Sequence, residues 1–278
     1  MYIVLCIILI PFALGILFTV GILLYAVFLQ IRFPLDRFYR TRSQQEDFIP
    51  YDRIPQRLIK YLLLIEDDAF FSHPGFSGAG IRYAFRINRE KKQVVTGGST
   101  ITQQLVKNIY FGFRHSYLRK AVELVIAIYA EHSLGKRKIL ELYMNIIYFG
   151  NGVYGIRDAA GFYFSKNVQD LSENQMFILA CIPYAPTRGN PIQHPQAFET
   201  IRNRRLNSIN VRKELSAEEW DRISSHHADC LDPDLRKQDD FTRQYPQEVP
   251  LYNERFSLHA RGASKRHPGT SRRTEAKS

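Results

Sequence analysis

The first thirty-one residues of the chain form an unbroken apolar segment. No charged residue precedes Arg32, and between Ile3 and Ile31 only Thr19, Gln30 and scattered glycines interrupt the apolar run. A helix needs roughly 20 such residues to cross a bilayer. The segment is longer than a signal-peptide core, has no basic amino end and is followed by no clear cleavage site. The pattern therefore predicts a retained transmembrane anchor over residues 1–31, in preference to a secretory signal.

Residues 53 to about 211 follow a helical pattern of apolar and polar positions, with few alternating runs. We expect Ser99 to cap a helix that reaches Tyr110, and Ser172 with Gln175 to form a capping box. Further helices are predicted near 57–65, 78–89, 116–134, 136–145 and 195–211. The sequence thus predicts a mainly α domain over 53–211, behind a charged juxtamembrane linker over 32–52.

Residues 212–278 form a C-terminal extension that becomes poor in apolar residues after about residue 233. From Arg255 onward it holds seven basic residues and one acidic residue. Such a composition predicts a largely disordered tail that is able to touch acidic lipid.

The excess of positive charge lies on the predicted domain. The chain carries a net charge of +11, and residues 211–278 hold 13 basic and 12 acidic residues, so +10 belongs to residues 32–210. Such a field favours an anionic partner, such as a phosphate-bearing substrate or acidic lipid, although plain solubility charge is the alternative. Nucleic acid is not expected, because no binding module is recognisable. The three scattered cysteines suggest neither a metal site nor a disulfide framework.

The first candidate for chemistry is Glu66, which follows the apolar run Leu62–Ile65 and precedes Asp67. An apolar wall raises the pKa of a carboxyl group and suits it to proton transfer. The alternative is an exposed helix-terminal acid paired with Arg57 or Lys60.

A second polar cluster spans Gly97 to Asn108. On a helix starting near Ser99, one face is polar, while Ile101, Leu105 and Ile109 point the other way. The backbone amides at the start of such a helix suit an anionic group. This face either meets a ligand or is solvated; its members are Thr100, Gln103, Gln104 and Lys107.

A third cluster contains Arg119, Lys120 and Glu123, in which Arg119 and Glu123 are four residues apart. The pair is either an ordinary surface salt bridge or an arrangement that aims the guanidinium at a diphosphate. Two later sets are interpreted as structural: Glu141 with Asn145 holding neighbouring helices together, and Arg204–Arg205 as a scaffold or cleft-rim pair.

Together these blocks resemble the peptidoglycan glycosyltransferases of family 51, which are monofunctional transglycosylases or the amino-terminal halves of class A penicillin-binding proteins. The matching blocks occur in family order and cover roughly residues 50–210; they are Glu66-Asp67 with Phe70, His73 and Gly75, then Gly97 to Gln104, Arg119-Lys120 with Glu123, Lys136 to Asn145, and Arg204-Arg205. The absence of a Lys-Thr-Gly triplet and the roughly 68 residues beyond the core favour a monofunctional enzyme without transpeptidase activity.

The resemblance implies a lysozyme-like fold with a large lobe and a membrane-embedded small jaw. It implies polymerisation of lipid II into β-1,4 glycan strands with release of undecaprenyl diphosphate. Glu66 is expected to be the general base and Glu123 to be a second catalytic group, which orients nearby cations or a divalent metal such as Mg or Mn. No organic cofactor is expected.

The resemblance also assigns substrate contacts. Lys107, Arg119 and Lys120 are expected to neutralise the donor diphosphate, and Thr100, Gln104 and Asn108 to hold sugar or phosphate. The full set of expected substrate-binding residues is Asp67, Phe70, His73, Ser99, Thr100, Gln103, Gln104, Lys107, Asn108, Arg119 and Lys120.

The membrane orientation is the one point on which two arguments conflict. Arg32, Arg37, Arg40 and Arg42 follow the apolar segment, and the positive-inside rule by itself favours a cytoplasmic domain. The use of a lipid-linked precursor outside the cell instead favours a single-pass protein of the inner membrane with a periplasmic or extracellular domain. The run Phe111-Gly112-Phe113 beside Arg114 is either a headgroup contact or part of the core.

Two other functions remain as alternatives. A lysozyme-like lytic transglycosylase or muramidase also places a Glu in a helical cleft, but it needs no diphosphate site. An anchored scaffold that binds acidic lipid and other cell-wall synthesis proteins needs no catalytic Glu at all.

Overall fold

The computed structural model describes residues 2–92, 97–111, 116–225 and 231, with side chains described from residue 9 onward. Within these ranges the secondary structure is α-helical apart from short 3₁₀ turns and an isolated bridge between Tyr148 and Tyr154. The predicted mainly α fold is confirmed. The helices are α1 (Tyr2–Arg32), α2 (Leu35–Ser43), α3 (Gln56–Glu66), α4 (Gly78–Glu90), α5 (Ile101–Tyr110), α6 (Tyr117–Ser133), α7 (Gly135–Ile146), α8 (Ile156–Phe164), α9 (Glu173–Cys181), α10 (Pro195–Leu206), α11 (Ile209–Glu214) and α12 (Ala217–Ser224).

Helix α1 is the one helix, in the part of the chain that the structure describes, that is long and apolar enough to cross a membrane. Most of its large apolar side chains between Leu9 and Ile31 are exposed, whereas Ala26 and Leu29 near its end are buried against the domain. Gln30 donates to the Tyr110 hydroxyl at 3.0 Å, and that hydroxyl donates to the carbonyl of Phe33 at 2.9 Å. The anchor is therefore joined directly to the end of α5.

The segment predicted as a linker, residues 32–52, is instead part of the folded domain. Leu35 and Phe38 on α2 are buried in the core. The Tyr39 hydroxyl donates to Glu141 at 2.6 Å, and Tyr51 N donates to the same carboxylate at 2.8 Å. The Glu141 carboxylate of α7 thus binds a segment that is about one hundred residues away in sequence. The local charge pattern does not predict this contact.

Asn145 supports the same attachment. Its side-chain oxygen accepts from Ile49 N at 2.7 Å, and its side-chain nitrogen donates to Ile49 O at 2.8 Å. Because both groups of the amide bind the backbone of Ile49, Asn145 holds this residue by two hydrogen bonds. The predicted structural role of Glu141 and Asn145 is confirmed.

The core is built around α7 and α9. Every residue of α7 from Ile139 to Ile146 is buried, and every residue of α9 from Asn174 to Cys181 is buried. Helix α3 packs against α9, where Tyr61 and Phe177 meet edge-to-face at 5.6 Å, and α5 packs against both α6 and α7. Buried central helices of this kind hold the ends of α3 and α5 in fixed positions.

Most helix boundaries differ from the predicted ones by a residue, and the differences that matter are at α5 and α10. Thr100, and not Ser99, caps α5, and with Gln103 it forms a capping box. The predicted helix over 195–211 ends at Leu206, and α11 starts after a new cap at Ser208.

The domain also continues past the predicted boundary at residue 211. Ser216 and Glu219 form a capping box for α12, whose Ile223 is fully buried. Arg202 of α10, which is buried, donates to the Ile223 carbonyl. The predicted disordered tail after about residue 233 lies outside the described residues. So do residues 112–114 of the run that is predicted to be either a headgroup contact or part of the core, whereas Phe111 is described and packs, partly buried, against the core.

Candidate active site

A cleft of about 570 Å³ opens where α3 ends beside α5. One wall comes from α3, the segment before α5, and α5 itself. The opposite wall comes from the Pro-rich segment after α9 and from α10. The residues lining it are Ile65, Glu66, Gly97, Ser99, Gln104, Lys107, Asn108, Ile147, Tyr148, residues 183–188 and Arg205.

Glu66 is the last residue of α3, and its side chain lies at the inner end of this cleft. Helix α3 buries Leu62 and Ile65, so the carboxylate leaves the core at the helix end. Its Oε2 accepts from Gln104 Nε2 at 2.8 Å. Its Oε1 is shielded from solvent and has no hydrogen-bond partner among the described residues. One carboxylate oxygen is therefore held and the other is available.

Burial raises the pKa of Glu66, and the hydrogen bond from Gln104 and the charges of Arg205 and Lys107 lower it in part. The expected placement in a cleft is thus confirmed. The alternative pairings are not formed, because Arg57 contacts Glu173 and Lys60 contacts Glu219.

Lys107 lies on α5 and lines the same cleft as Glu66. Burial lowers its pKa, whereas the nearby charge of Glu123 raises it in part. A partly desolvated ammonium group has a stronger interaction with an incoming anion than a solvated one. Asn108 follows it into the cleft with a buried side-chain nitrogen that has no hydrogen-bond partner among the described residues.

Arg119, Lys120 and Glu123 form a cluster on α6 behind the rim of the cleft. The carboxylate of Glu123, which is 1% exposed, lies 3.0 Å from Arg119 Nε and 3.3 Å from Lys120 Nζ. Lys120 Nζ also donates to Ser99 Oγ at 2.8 Å. Glu123 therefore holds two cations in place, and one of them is tied to the residue at the cleft edge.

The predicted divalent metal does not fit these residues. In the described ranges no group of three His, Cys, Asp or Glu side chains is close enough to hold a metal ion. The two oxygens of Glu123 already face two cations, and those cations repel a further positive ion.

Asp67 and His73 form a buried connection behind the cleft. Asp67 accepts from Ile101 N at 2.9 Å and contacts His73 Nε2 at 3.0 Å, while Gly75 N donates to His73 Nδ1 at 3.1 Å. The acceptor role of Nδ1 places the ring proton on Nε2. This connection ties the end of α3 to the first turn of α5, and so sets the separation between Glu66 and Gln104.

Seven residues predicted to bind substrate do not line the cleft. Two of them, Arg119 and Lys120, belong to the cluster on α6; the other five are Asp67, Phe70, His73, Thr100 and Gln103. Phe70 is fully buried, with Lys136 over its ring at 4.4 Å. Thr100 donates to the Gly75 carbonyl at 2.7 Å, and Gln103 completes the helix cap. The fold uses the polar side-chain atoms of four of these residues, and their contact with substrate stays a prediction; they are Asp67, His73, Thr100 and Gln103. Ser99, Gln104, Lys107 and Asn108 do line the cleft.

The opposite wall is predicted only in part by the sequence, which gives Arg204–Arg205 as a scaffold or cleft-rim pair. Arg205 lies over the ring of Tyr184 at 3.6 Å and lines the cleft, whereas its neighbour Arg204 is exposed. Arg202 is buried and donates to Asn174 at 2.8 Å. The predicted pair therefore separates, and only Arg205 reaches the site. Pro183 and Pro186 form this wall as well.

Comparison with known proteins identifies the family of the chain. Residues 34–210 match the family model described as Transglycosylase. The chain belongs to the transglycosylase family. The match begins before α2, in agreement with the packing of this segment against α7 in the transglycosylase fold seen here.

Several curated proteins are similar to this transglycosylase. The biosynthetic peptidoglycan transglycosylase of Thiobacillus denitrificans is 41% identical over 167 residues, which cover 60% of this chain and 68% of that protein. The protein of the same name from Alcanivorax borkumensis is 43% identical over 148 residues, with 53% and 60% coverage. Penicillin-binding protein 1A of Aquifex aeolicus is 40% identical over 168 residues, with 60% and 23% coverage.

The match covers only part of the larger relatives. It spans 25% of penicillin-binding protein 1F and 32% of penicillin-binding protein 4, both from Bacillus subtilis. The crystal structure of penicillin-binding protein 1A from Haemophilus influenzae, at 28% identity, covers 45% of this transglycosylase and 16% of that chain, with a TM-score of 0.31. That superposition is too partial to bear on the fold.

Proposed function

We propose that this transglycosylase is a peptidoglycan glycosyltransferase that polymerises lipid II into β-1,4 glycan strands and releases undecaprenyl diphosphate. The observation that carries the proposal is the shared cleft of Glu66 and Lys107, with the Arg119–Lys120 cluster behind its rim. The names of the two biosynthetic peptidoglycan transglycosylases support it. Monofunctional action, without transpeptidase activity, remains part of the proposal.

The chemistry uses one proton acceptor and several cations. Glu66 Oε1, which has no other partner among the described residues, takes the proton from the acceptor sugar hydroxyl. The hydroxyl oxygen then forms a bond to the anomeric carbon of the donor, and the bond from that carbon to the diphosphate breaks with inversion. Because its pKa is raised by burial, Glu66 is a stronger base than an ordinary carboxylate.

The departing diphosphate is stabilised by positive charge. Lys107 lies in the cleft, and Arg119 Nη1 has no hydrogen-bond partner among the described residues. Fixed cations stabilise a developing anion without reorganising during the reaction. Glu123 acts through Arg119 and Lys120 by holding them, and we assign it this positioning role in place of a direct catalytic contact.

Several surfaces support action at a membrane. Helix α1 is long and apolar enough to span a bilayer. Helix α4 exposes Ile81, Tyr83 and Phe85, and Arg86 lies 5.8 Å from the Tyr83 ring centre. Exposed aromatic and apolar side chains beside arginines suit a headgroup region.

We place the catalytic domain on the outer face of the inner membrane, where lipid-linked precursor is used. The basic residues after α1 are a weaker counter-argument than their number suggests. Arg42 is buried and pairs with Asp47 at 2.7 Å, so at least one of them serves the fold. Lipid-linked glycan and other cell-wall synthesis proteins remain proposed partners.

The test is incubation of the full chain, purified in detergent, with lipid II, followed by sizing of the glycan product. We expect chain growth by the wild type and none by Glu66→Gln. Asp68→Asn is the matched control, since Asp68 is exposed and outside the cleft. Near-normal glycan synthesis by Glu66→Gln would overturn the role of Glu66. Breakdown of finished cell wall without any chain growth would instead support the lytic alternative, which leaves the cation cluster unexplained.

A further inference from the structure

Tyr143 lies on α7, is fully buried and does not line the cleft. Its hydroxyl nevertheless reaches the site through a second residue. It donates to Gln104 Oε1 at 3.1 Å, and Gln104 Nε2 donates to Glu66 Oε2 at 2.8 Å. A continuous line of hydrogen bonds therefore runs from the buried face of α7 to the proposed base.

The donors and acceptors in this line fix one another. An ionised carboxylate only accepts hydrogen bonds, so Gln104 must turn its NH₂ group towards Glu66. The amide oxygen of Gln104 then faces Tyr143, which must donate. Burial and the charges of Glu66 and Asp67 raise the pKa of Tyr143 well above its ordinary value, so the phenol keeps the proton that it donates.

We propose that Tyr143 is a positioning residue that locks the amide of Gln104, so that Gln104 binds one oxygen of Glu66 and leaves the other for the acceptor hydroxyl. This inference rests on the proposed function of Glu66. Tyr143 touches neither the cleft nor Glu66, and so it acts only through Gln104.

Loss of the Tyr143 hydroxyl has a defined consequence. Without a donor on its far side, the Gln104 amide is free to turn and present its oxygen to Glu66. An amide oxygen repels the carboxylate and favours the protonated acid. The fraction of Glu66 able to act as base then falls at a given pH, while substrate contacts in the cleft are unchanged.

The experiment compares Tyr143→Phe with the wild type in glycan synthesis from lipid II across a range of pH. We expect kcat to fall about 3- to 10-fold, a small part of the roughly 10²- to 10⁴-fold that a positioned general base contributes, with KM for lipid II unchanged. We expect the acidic limb of the pH–rate profile to move up by roughly half a pH unit or more. The change removes one oxygen and leaves the aromatic ring of residue 143 in the core, so the fold is retained.

Tyr163→Phe is the matched control. Tyr163 is also fully buried, and its hydroxyl donates to Phe149 O at 2.6 Å and accepts from Asn151 at 3.0 Å, outside the cleft. It is expected to lower the melting temperature and to leave the pH profile in place. A purely structural role for Tyr143 predicts the same result for Tyr143→Phe, and that result would refute the proposal.

A double-mutant cycle tests the route through Gln104. In a Gln104→Ala background, Tyr143→Phe is expected to have no further effect on kcat or on the acidic limb. Additive effects would show that Tyr143 acts by another path.

Direct titration of the Glu66 carboxyl by ¹³C NMR keeps this inference separate from the proposed function. We expect the pKa of Glu66 to be higher in Tyr143→Phe than in the wild type, whether or not either protein polymerises lipid II. Equal titration curves would overturn the positioning role. Failure of the wild type to extend glycan would overturn the proposed function instead.

Discussion

Two neighbouring carboxylates at the end of α3 lie in different environments. Asp67 faces the interior, where Ile101 N and His73 occupy its oxygens. Glu66 faces the cleft, with one oxygen bound by Gln104 and the other unpartnered among the described residues. Burial raises the pKa of both. The pKa shift alone therefore does not separate the proposed base from the structural acid, and the remaining hydrogen-bonding capacity does.

The strongest test of this contrast is the pair of amide substitutions at the two acids. Glu66→Gln is expected to lower glycan synthesis about 10³-fold or more with no loss of melting temperature, because it removes a buried charge. Asp67→Asn is expected to cost about 2 kcal/mol of unfolding free energy, since its NH₂ group cannot accept from Ile101 or His73. Thermal melts and initial rates of both variants measure the two effects. A stable, active Asp67→Asn together with an unfolded Glu66→Gln would reverse the assignment.

The basic side chains also fall into two groups: Lys107 lines the cleft, and Arg119 and Lys120 lie behind its rim. Lys107→Ala is expected to lower kcat/KM for lipid II about 10²-fold, as for loss of one preorganised charge-stabilising group. The control is Lys213→Ala on α11, because Lys213 is exposed and away from the cleft. This change is expected to leave kcat/KM unchanged. Steady-state kinetics at several lipid II concentrations provide the measurement. Equal rates for the two variants would remove Lys107 from the site.

The pH dependence of stability follows from the same burial. The pKa of Glu66 is raised in the folded state, so above its unfolded value the folded protein binds more protons than the unfolded chain. The free energy of unfolding contributed by this group therefore falls as pH rises through that window. Glu66→Gln removes this loss, and its stability relative to the wild type should increase with pH. Chemical denaturation at a series of pH values measures the difference, and parallel curves would contradict the buried placement of Glu66.

How much of the fold and of the candidate site can be predicted from the sequence depends on how far apart in sequence the contacting residues are. The apolar run before Glu66 and the capping box of Ser172 and Gln175 are local signals, and both placed their elements correctly. The attachment of Tyr39 to Glu141 joins residues 102 positions apart, so local pattern alone predicts a linker for the charged segment.

The same limit applies inside the site. Thr100, in place of Ser99, became the cap because its hydroxyl also binds the Gly75 carbonyl, a partner that comes from a different loop. Local pattern also cannot tell which polar side chains of α5 meet the cleft and which are used by the cap. Gln103 and Gln104 are adjacent in sequence, yet only Gln104 lines the cleft.

The smallest expected effect comes from the opposite wall of the cleft, which local pattern predicts only as a scaffold or cleft-rim pair of arginines. Arg205 is held over Tyr184 and its charge lowers the pKa of Glu66 in part. Arg205→Gln is therefore expected to reduce kcat/KM about 3- to 10-fold and to move the acidic limb of the pH–rate profile to higher pH, because Glu66 loses a stabilising positive charge. Arg204→Gln, the adjacent exposed residue, is the control and should match the wild type. If both arginine variants keep the wild-type limb, the far wall shapes the cleft without tuning the base, and the difference between Glu66 and Asp67 depends on the Gln104 side alone.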